Sequence, residues 1–175
     1  YLGGLVMDNK YLVINGGSSS LKFSLYNINK EEMVNGYIQK IGLEDSFYTL
    51  KYDGKKVEKN CKIMNHIDAC NVMINELLAN KFINEISEIS GIGHRVLHGA
   101  EFYNESVIID DEVINNLKSI IDLGGLHLPG EISVIECIKN VLPDIKQVAV
   151  FDTAFHQTMK SDRYIYPIKY EYYEK

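Results

Sequence analysis

Cysteine is scarce in this chain and never closely paired. Cys61, Cys70 and Cys137 are odd in number and form no C-x-x-C. That excludes a disulfide framework, argues against zinc, and leaves reduced, cytosolic thiols packed in an interior as the expectation. Long hydrophobic runs are missing too. No stretch approaches the roughly 20 apolar residues that a membrane helix needs, and no signal-peptide pattern stands at the start. Nor is there a block of positive charge: 24 acidic residues outnumber 18 basic ones, and the two signs are interspersed. Nucleic acid and membrane surfaces are therefore poor partners. Internal repeats, low-complexity tracts and linkers are absent as well.

What is present suits a globular protein with a sizeable core. The 175 residues are 46% hydrophobic, enough for one domain or a little more. Residues 1–10 read as an N-terminal tail, with residues 1–6 foreign to a native start at Met7. From Tyr11 onward an apolar run, Tyr11 to Ile14, meets Asn15-Gly-Gly-Ser-Ser-Ser20, and alternation resumes with Leu21, Phe23 and Leu25. This is strand, tight polar turn, strand. Glycines, hydroxyls and Lys22 can cradle a phosphate; the same residues also make an ordinary hairpin turn. The Walker spacing G-x-x-x-x-G-K-[ST] does not occur here, and a strand follows where a helix should.

A third strand is expected within Glu31 to Ile41. A further hairpin runs from Phe47 to Cys61 around Asp53-Gly54. Apolar positions then recur at helical spacing from about 66 to 82, with Asn65 as N-cap. Ile86 onward predicts a short buried strand ending near Ile92, then a turn, His94 to Gly99. A second helix opens at Asp110-Asp-Glu112 and stops at Gly124-Gly125. Leu126 to Gly130 reads as a loop, and Glu131 to Val141 as a third helix ended by Pro143. Gln147 to Phe151 is a buried strand that delivers Asp152 at its carboxyl end, and a tyrosine-rich tail, Tyr164 to Tyr173, follows. The order βββ(ββ)αβααβ implies an α/β domain: a mixed sheet with antiparallel hairpins first, then βα units, flanked by helices.

Open α/β sheets bind ligands at the carboxyl ends of their strands. Asn15 and Asp152 fall there, and Arg95 falls in the next turn. A carboxylate at Asp152 could coordinate Mg²⁺ or orient a reacting group, or simply cap a turn. Arg95 could grip a carboxylate or phosphate with two parallel bonds, or pair with an acid such as Glu101. His94, His98, His127 and His156 all lie in expected loops, at spacings that fit no single zinc motif. His66 reads as a solvated residue at a helix start.

Three blocks then converge: Val13-Ile-Asn-Gly-Gly-Ser-Ser-Ser-Leu-Lys-Phe23, Gly93-His-Arg-Val-Leu-His-Gly99 and Val150-Phe-Asp-Thr-Ala-Phe-His-Gln-Thr-Met159. Together they resemble the acetate kinase family, in its order and at its spacing, over residues 11 to 175. Ser106 to Val113 and Leu142-Pro-Asp144 also fit. The resemblance implies a ribonuclease-H-like lobe of a two-lobe kinase, in the superfamily of actin, sugar kinases and heat-shock chaperone ATPases. Family enzymes are about double this length, so residues 11–175 would be the N-terminal lobe.

The implied activity is Mg²⁺-dependent, reversible in-line transfer of the ATP γ-phosphoryl group to acetate, giving acetyl phosphate and ADP. By matched position, Asn15 would help hold Mg²⁺, while Ser18, Ser20 and Lys22 would approach the nucleotide phosphates. Arg95, Leu97 and Leu126 would bind the acyl substrate, His127 would lie on the substrate side near the transferring phosphoryl group, and Asp152 would be the catalytic carboxylate. The implied partners are ATP/ADP, acetate and acetyl phosphate, the chain's own C-terminal lobe, and a second copy in a cytoplasmic homodimer. Propionate or another short acyl acid is an alternative substrate. A nucleotide-binding module without catalysis is an alternative of another class.

This sequence departs from the family pattern at several places. Gly16 replaces a cysteine or another small residue, Ala100 a common glycine, and Gly124-Gly125 the usual Ala-Pro. Leu128 replaces the asparagine of Leu-His-Asn-Pro, which would make the substrate loop less polar.

Overall fold

The computed structural model describes residues 9–125 and 127–172. Residues 1–8, Leu126 and residues 173–175, the last of the expected tail among them, therefore lie outside the described residues.

Alternation builds the first half. In β1 (Lys10–Gly16), Leu12 and Ile14 are buried while Tyr11 and Val13 are exposed; in β2 (Ser20–Tyr26), Leu21, Phe23 and Leu25 are buried. The two strands pair antiparallel and set Asn15 opposite Lys22. The chain then meanders through β3 (Glu32–Gln39), β4 (Phe47–Tyr52) and β5 (Lys55–Asn60), each antiparallel to its predecessor. Asp53 and Gly54 turn the last hairpin with φ of 48° and 70°, the left-handed pair that a tight hairpin requires. Every position of β5 is exposed, and its lysines guard what is a sheet edge against further pairing.

Helical periodicity governs the second half. Asn65 caps α1 (His66–Ala79) by accepting the Asp68 N–H, and the Asp68 carboxylate accepts the Met64 N–H in return, a reciprocal cap. The buried stripe of α1 is Ala69, Cys70, Met73, Ile74 and Leu77. Then come β6 (Ile89–Val96), β7 (Val107–Ile108), α2 (Asp111–Ser119), α3 (Leu128–Val141) and β8 (Gln147–Phe151). Strands β1, β6 and β8 run parallel, and the full sheet reads β5-β4-β3-β2-β1-β6-β8-β7. Helices α1 and α3 close one face over Leu12, Ile14, Phe23 and Met73; a second cluster, with Val96, Leu117, Leu128, Ile135 and Phe151, fills the space under α2. The mixed α/β fold is the one the sequence implies. Among the described residues, no helix is long and apolar enough to cross a membrane.

Three local expectations change, and β7 is an addition to them. The strand expected to end near Ile92 runs on to Val96, so His94 and Arg95 belong to a strand and not to a turn. Alternation explains it: Ile92, His94 and Val96 are all buried. The second helix ends before its glycines, at Ser119, and a 3₁₀ segment covers Ile121–Gly124. The third starts at Leu128 rather than Glu131, with Pro129 in its first turn, where its missing N–H has no helical partner to lose. The two residues of β7 are too short to show a period.

Candidate active site

The parallel strands β1, β6 and β8 bring their carboxyl ends to one edge of the sheet. Register sets Ile14 beside His94 and Arg95 beside Val150. Asn15 and Arg95 are therefore neighbours, and Asp152 follows directly from β8. Their side chains meet. Arg95 Nε donates to Asp152 Oδ1 at 3.1 Å and Nη2 donates to Oδ2, a two-pronged pair. Arg95 Nη1 donates to Asn15 Oδ1 at 3.4 Å. Both charged side chains remain reachable, with Arg95 40% and Asp152 43% exposed. A partly solvated, bidentate arginine–carboxylate pair of this kind can exchange one partner for another anion.

The polar turn adjoins this cluster through β1. Gly17 N–H donates to Ser20 O at 2.8 Å, and Ser19 O accepts the Ile41 N–H at 3.0 Å. Ser18 is exposed and Ser20 half-buried. Lys22 lies across from Asn15, its ammonium 4.9 Å from the centre of the Tyr37 ring. His66 is not the solvated residue expected: its Nε2 donates to Gly17 O at 2.7 Å and ties α1 to the turn. The first turn of α3 presses on the turn from the other side. A Cβ on Gly130 would stand 2.6 Å from Gly17 O and 3.0 Å from Ser18 N, so only glycine permits this approach. The positive end of a 14-residue helix thus lies against the Gly17-Ser18 backbone.

The remaining named residues divide. Leu97 is half-buried, with its N–H 3.0 Å from Glu131 Oε2. His127 is exposed at the start of α3, where its carbonyl accepts the N–H groups of Gly130 and Glu131. Leu126 lies outside the described residues. Leu128, at the start of α3, is fully buried in the cluster under α2, which explains an apolar side chain there. His94 is a core residue: its Nε2 donates to Gln147 Oε1 at 2.7 Å, and burial lowers its pKa to about 4, which keeps it neutral. Ala100 adopts φ of 46°, the left-handed region where the family pattern has glycine. Gly125 has φ of 54°, a conformation that proline cannot adopt.

Sequence reasoning missed Glu131. It is 2% exposed, Oε2 accepts the Leu97 N–H, and Oε1 lies 3.9 Å from Arg95 Nη1. Burial raises its pKa, opposed by the Leu97 hydrogen bond and the Arg95 charge. A signal was available: Glu131, Val134, Ile135 and Ile138 recur at helical spacing, so the glutamate shares the buried stripe.

Comparison with known proteins adds the family. Residues 10–175 match the acetokinase family model. The chain is 45% identical to acetate kinase of Bacillus cytotoxicus over 168 residues, 95% of this chain and 42% of that protein. It is equally similar to acetate kinase 2 of Listeria monocytogenes, over 94% of this chain and 42% of that one. Among solved structures it resembles Porphyromonas gingivalis acetate kinase, with a TM-score of 0.89, 36% identity, and coverage of 95% and 43% of the two chains. A propionate kinase from Francisella tularensis superposes with a TM-score of 0.83 at 36% identity, covering 93% and 42%. The chain thus spans about two-fifths of the length of these relatives.

Proposed function

Because the chain belongs to the acetokinase family, we propose that residues 11–175 are the N-terminal lobe of an acetate kinase. Such an enzyme moves the ATP γ-phosphoryl group to acetate, reversibly, forming acetyl phosphate and ADP. The observation that carries this reading is the Arg95, Asp152 and Asn15 cluster in a chain 45% identical to acetate kinases. Acetate is an anion at neutral pH, since a free carboxyl titrates near ~4. It needs no strong base, so Asp152 serves to orient reactants rather than to remove a proton. Arg95 offers two parallel N–H donors, the geometry that holds a carboxylate. Ser18, Ser20, Lys22 and the backbone of the Gly17 turn would approach the nucleotide phosphates, Leu97 and Leu126 the acyl group, and His127 the transferring phosphoryl group. In-line transfer then depends on positioning and charge neutralisation.

Mg²⁺ fits the donors available. The Asn15 amide oxygen and the Asp152 carboxylate are hard oxygen ligands held near each other by Arg95, with exposed sides for water. A bound Mg²⁺ would neutralise phosphate charge there. A second lobe, a homodimer formed through it and a cytoplasmic setting belong to the same reading.

Propionate is the second substrate to consider, on the strength of the propionate kinase likeness. The test is hydroxylamine trapping of acyl phosphate by the protein extended to the full length of its relatives, with ATP, Mg²⁺ and acetate, propionate or butyrate. The highest kcat/KM is expected for acetate. A higher value for propionate or butyrate would reassign the substrate. Failure with all three acids would favour a nucleotide-binding module without catalysis.

A further inference from the structure

Among the described residues, Glu131 is the one buried acid that reaches the cluster from a helix. Its two oxygens have different fates. Oε2 is fixed by the Leu97 N–H at 3.0 Å. Oε1 is buried and, among the described residues, has no hydrogen-bond partner, although Arg95 Nη1 stands only 3.9 Å away. An unsatisfied buried carboxyl oxygen is unfavourable, so a defined gain awaits a shift of about an ångström by the Arg95 guanidinium. What prevents that shift is Asp152, which occupies the Nε and Nη2 edge of Arg95.

The acyl kinase reading, on which this inference rests, requires that same edge to open. Arg95 cannot offer two parallel donors to a substrate carboxylate while Asp152 fills both. Once Asp152 turns away, Arg95 retains two protein acceptors on Nη1: the Asn15 amide at 3.4 Å and Glu131. Only Glu131 is charged. It is also immobile, anchored by its backbone in α3 and by its Leu97 bond. We propose that Glu131 is a positioning residue that receives the Arg95 guanidinium when Asp152 releases it, and so presents the freed edge of Arg95 to the acyl substrate. The same side chain, by holding Leu97 N–H, fixes the β6 end that carries both residues. Arg95 thus has two settings, one facing Asp152 and one facing Glu131, and the anionic substrate selects the second.

Two experiments decide it. In the protein extended to the full length of its relatives, Glu131→Gln keeps an acceptor for the Leu97 N–H but removes the charge. KM for the short-chain acid is expected to rise at least tenfold, with KM for ATP within twofold of wild type. An acid KM that is unchanged or lower overturns the proposal. Absence of acyl phosphate formation by the wild type itself would instead sink the kinase reading. The second experiment does not depend on turnover: a crystal structure of the Asp152→Ala variant of this chain. With its competitor removed, Arg95 Nη1 should move to within about 3 Å of Glu131 Oε1. A guanidinium turned out to solvent overturns the proposal.

Discussion

Arg95 and Asp152 show how much hangs on single side chains here. Each is roughly two-fifths exposed, so their mutual attraction contributes modestly to stability. In the proposed kinase their value lies in what they do to a reacting anion. Replacing either by alanine in a full-length enzyme is expected to lower acyl phosphate formation at least ~10²-fold, the usual loss when a transition-state electrostatic contact is removed. Steady-state rates at saturating ATP and acetate check this, and a near-normal rate would remove that residue from the site. His94 makes the opposite case, a titratable group whose consequence is stability. Burial depresses its pKa from 6.5 to about 4. Above pH 6.5 both folded and unfolded forms are neutral and nothing is lost. Below it the unfolded chain takes up a proton that the folded core refuses, so stability falls as pH drops from about 6.5 to about 4. At about 1.4 kcal/mol per unit, the total is on the order of 3 kcal/mol. Urea unfolding across that range should show the slope in the wild type and a shallower one in His94→Gln, which can still donate to Gln147. Equal slopes would show that His94 does not carry the effect.

At the level of elements, the contact between the polar turn and α3 holds the site in shape. Gly130 lies with its Cα hydrogens against Gly17 and Ser18 backbone, and backbone cannot rotate away as a side chain can. Gly130→Ala should therefore push the helix off the turn. A loss of about 1–3 kcal/mol, typical of overpacking, is expected in denaturant unfolding, together with amide NMR shifts concentrated at residues 16–20. A neutral variant would mean that the contact is loose. Legibility from sequence also divides at this level. The hairpins, α1 and β8 were plain because period, cap and turn chemistry agreed. The end of β6 was hidden because a buried histidine and an arginine look like loop residues until Gln147 is known to accept a hydrogen bond from His94. The start of α3 was hidden by Pro129 and Gly130, which punctuate most chains as turns. Asn15, Arg95 and Asp152 could be picked out as strand-end residues one by one. That they touch is a property of the β1-β6-β8 order, which no local pattern encodes. Glu131 was overlooked because acids in a first helical turn are usually solvated.

At the scale of the molecule, the cluster sits on an open surface of a chain that spans about two-fifths of its relatives' length. Water has access to Arg95 and Asp152, so their charges act through a high dielectric and do little to hold or polarise a phosphoryl group. A nucleotide would touch the Gly17 turn and Lys22 on one side only. Catalysis by positioning contributes several orders of magnitude, and it requires both reactants to be fixed at once. The 175-residue chain alone is therefore expected to form acyl phosphate at least ~10³-fold more slowly than a protein of the relatives' full length. Its ADP affinity should be weaker by at least tenfold, a difference of about 1.4 kcal/mol. Adding the remaining length as a separate polypeptide should restore part of the rate, because the fold of this lobe and the Arg95 cluster are already formed. Hydroxylamine trapping and calorimetric titration with ADP read the two quantities. Robust acyl phosphate production by the isolated chain would show that one face of the cleft is sufficient, and that the chemistry belongs to this lobe alone.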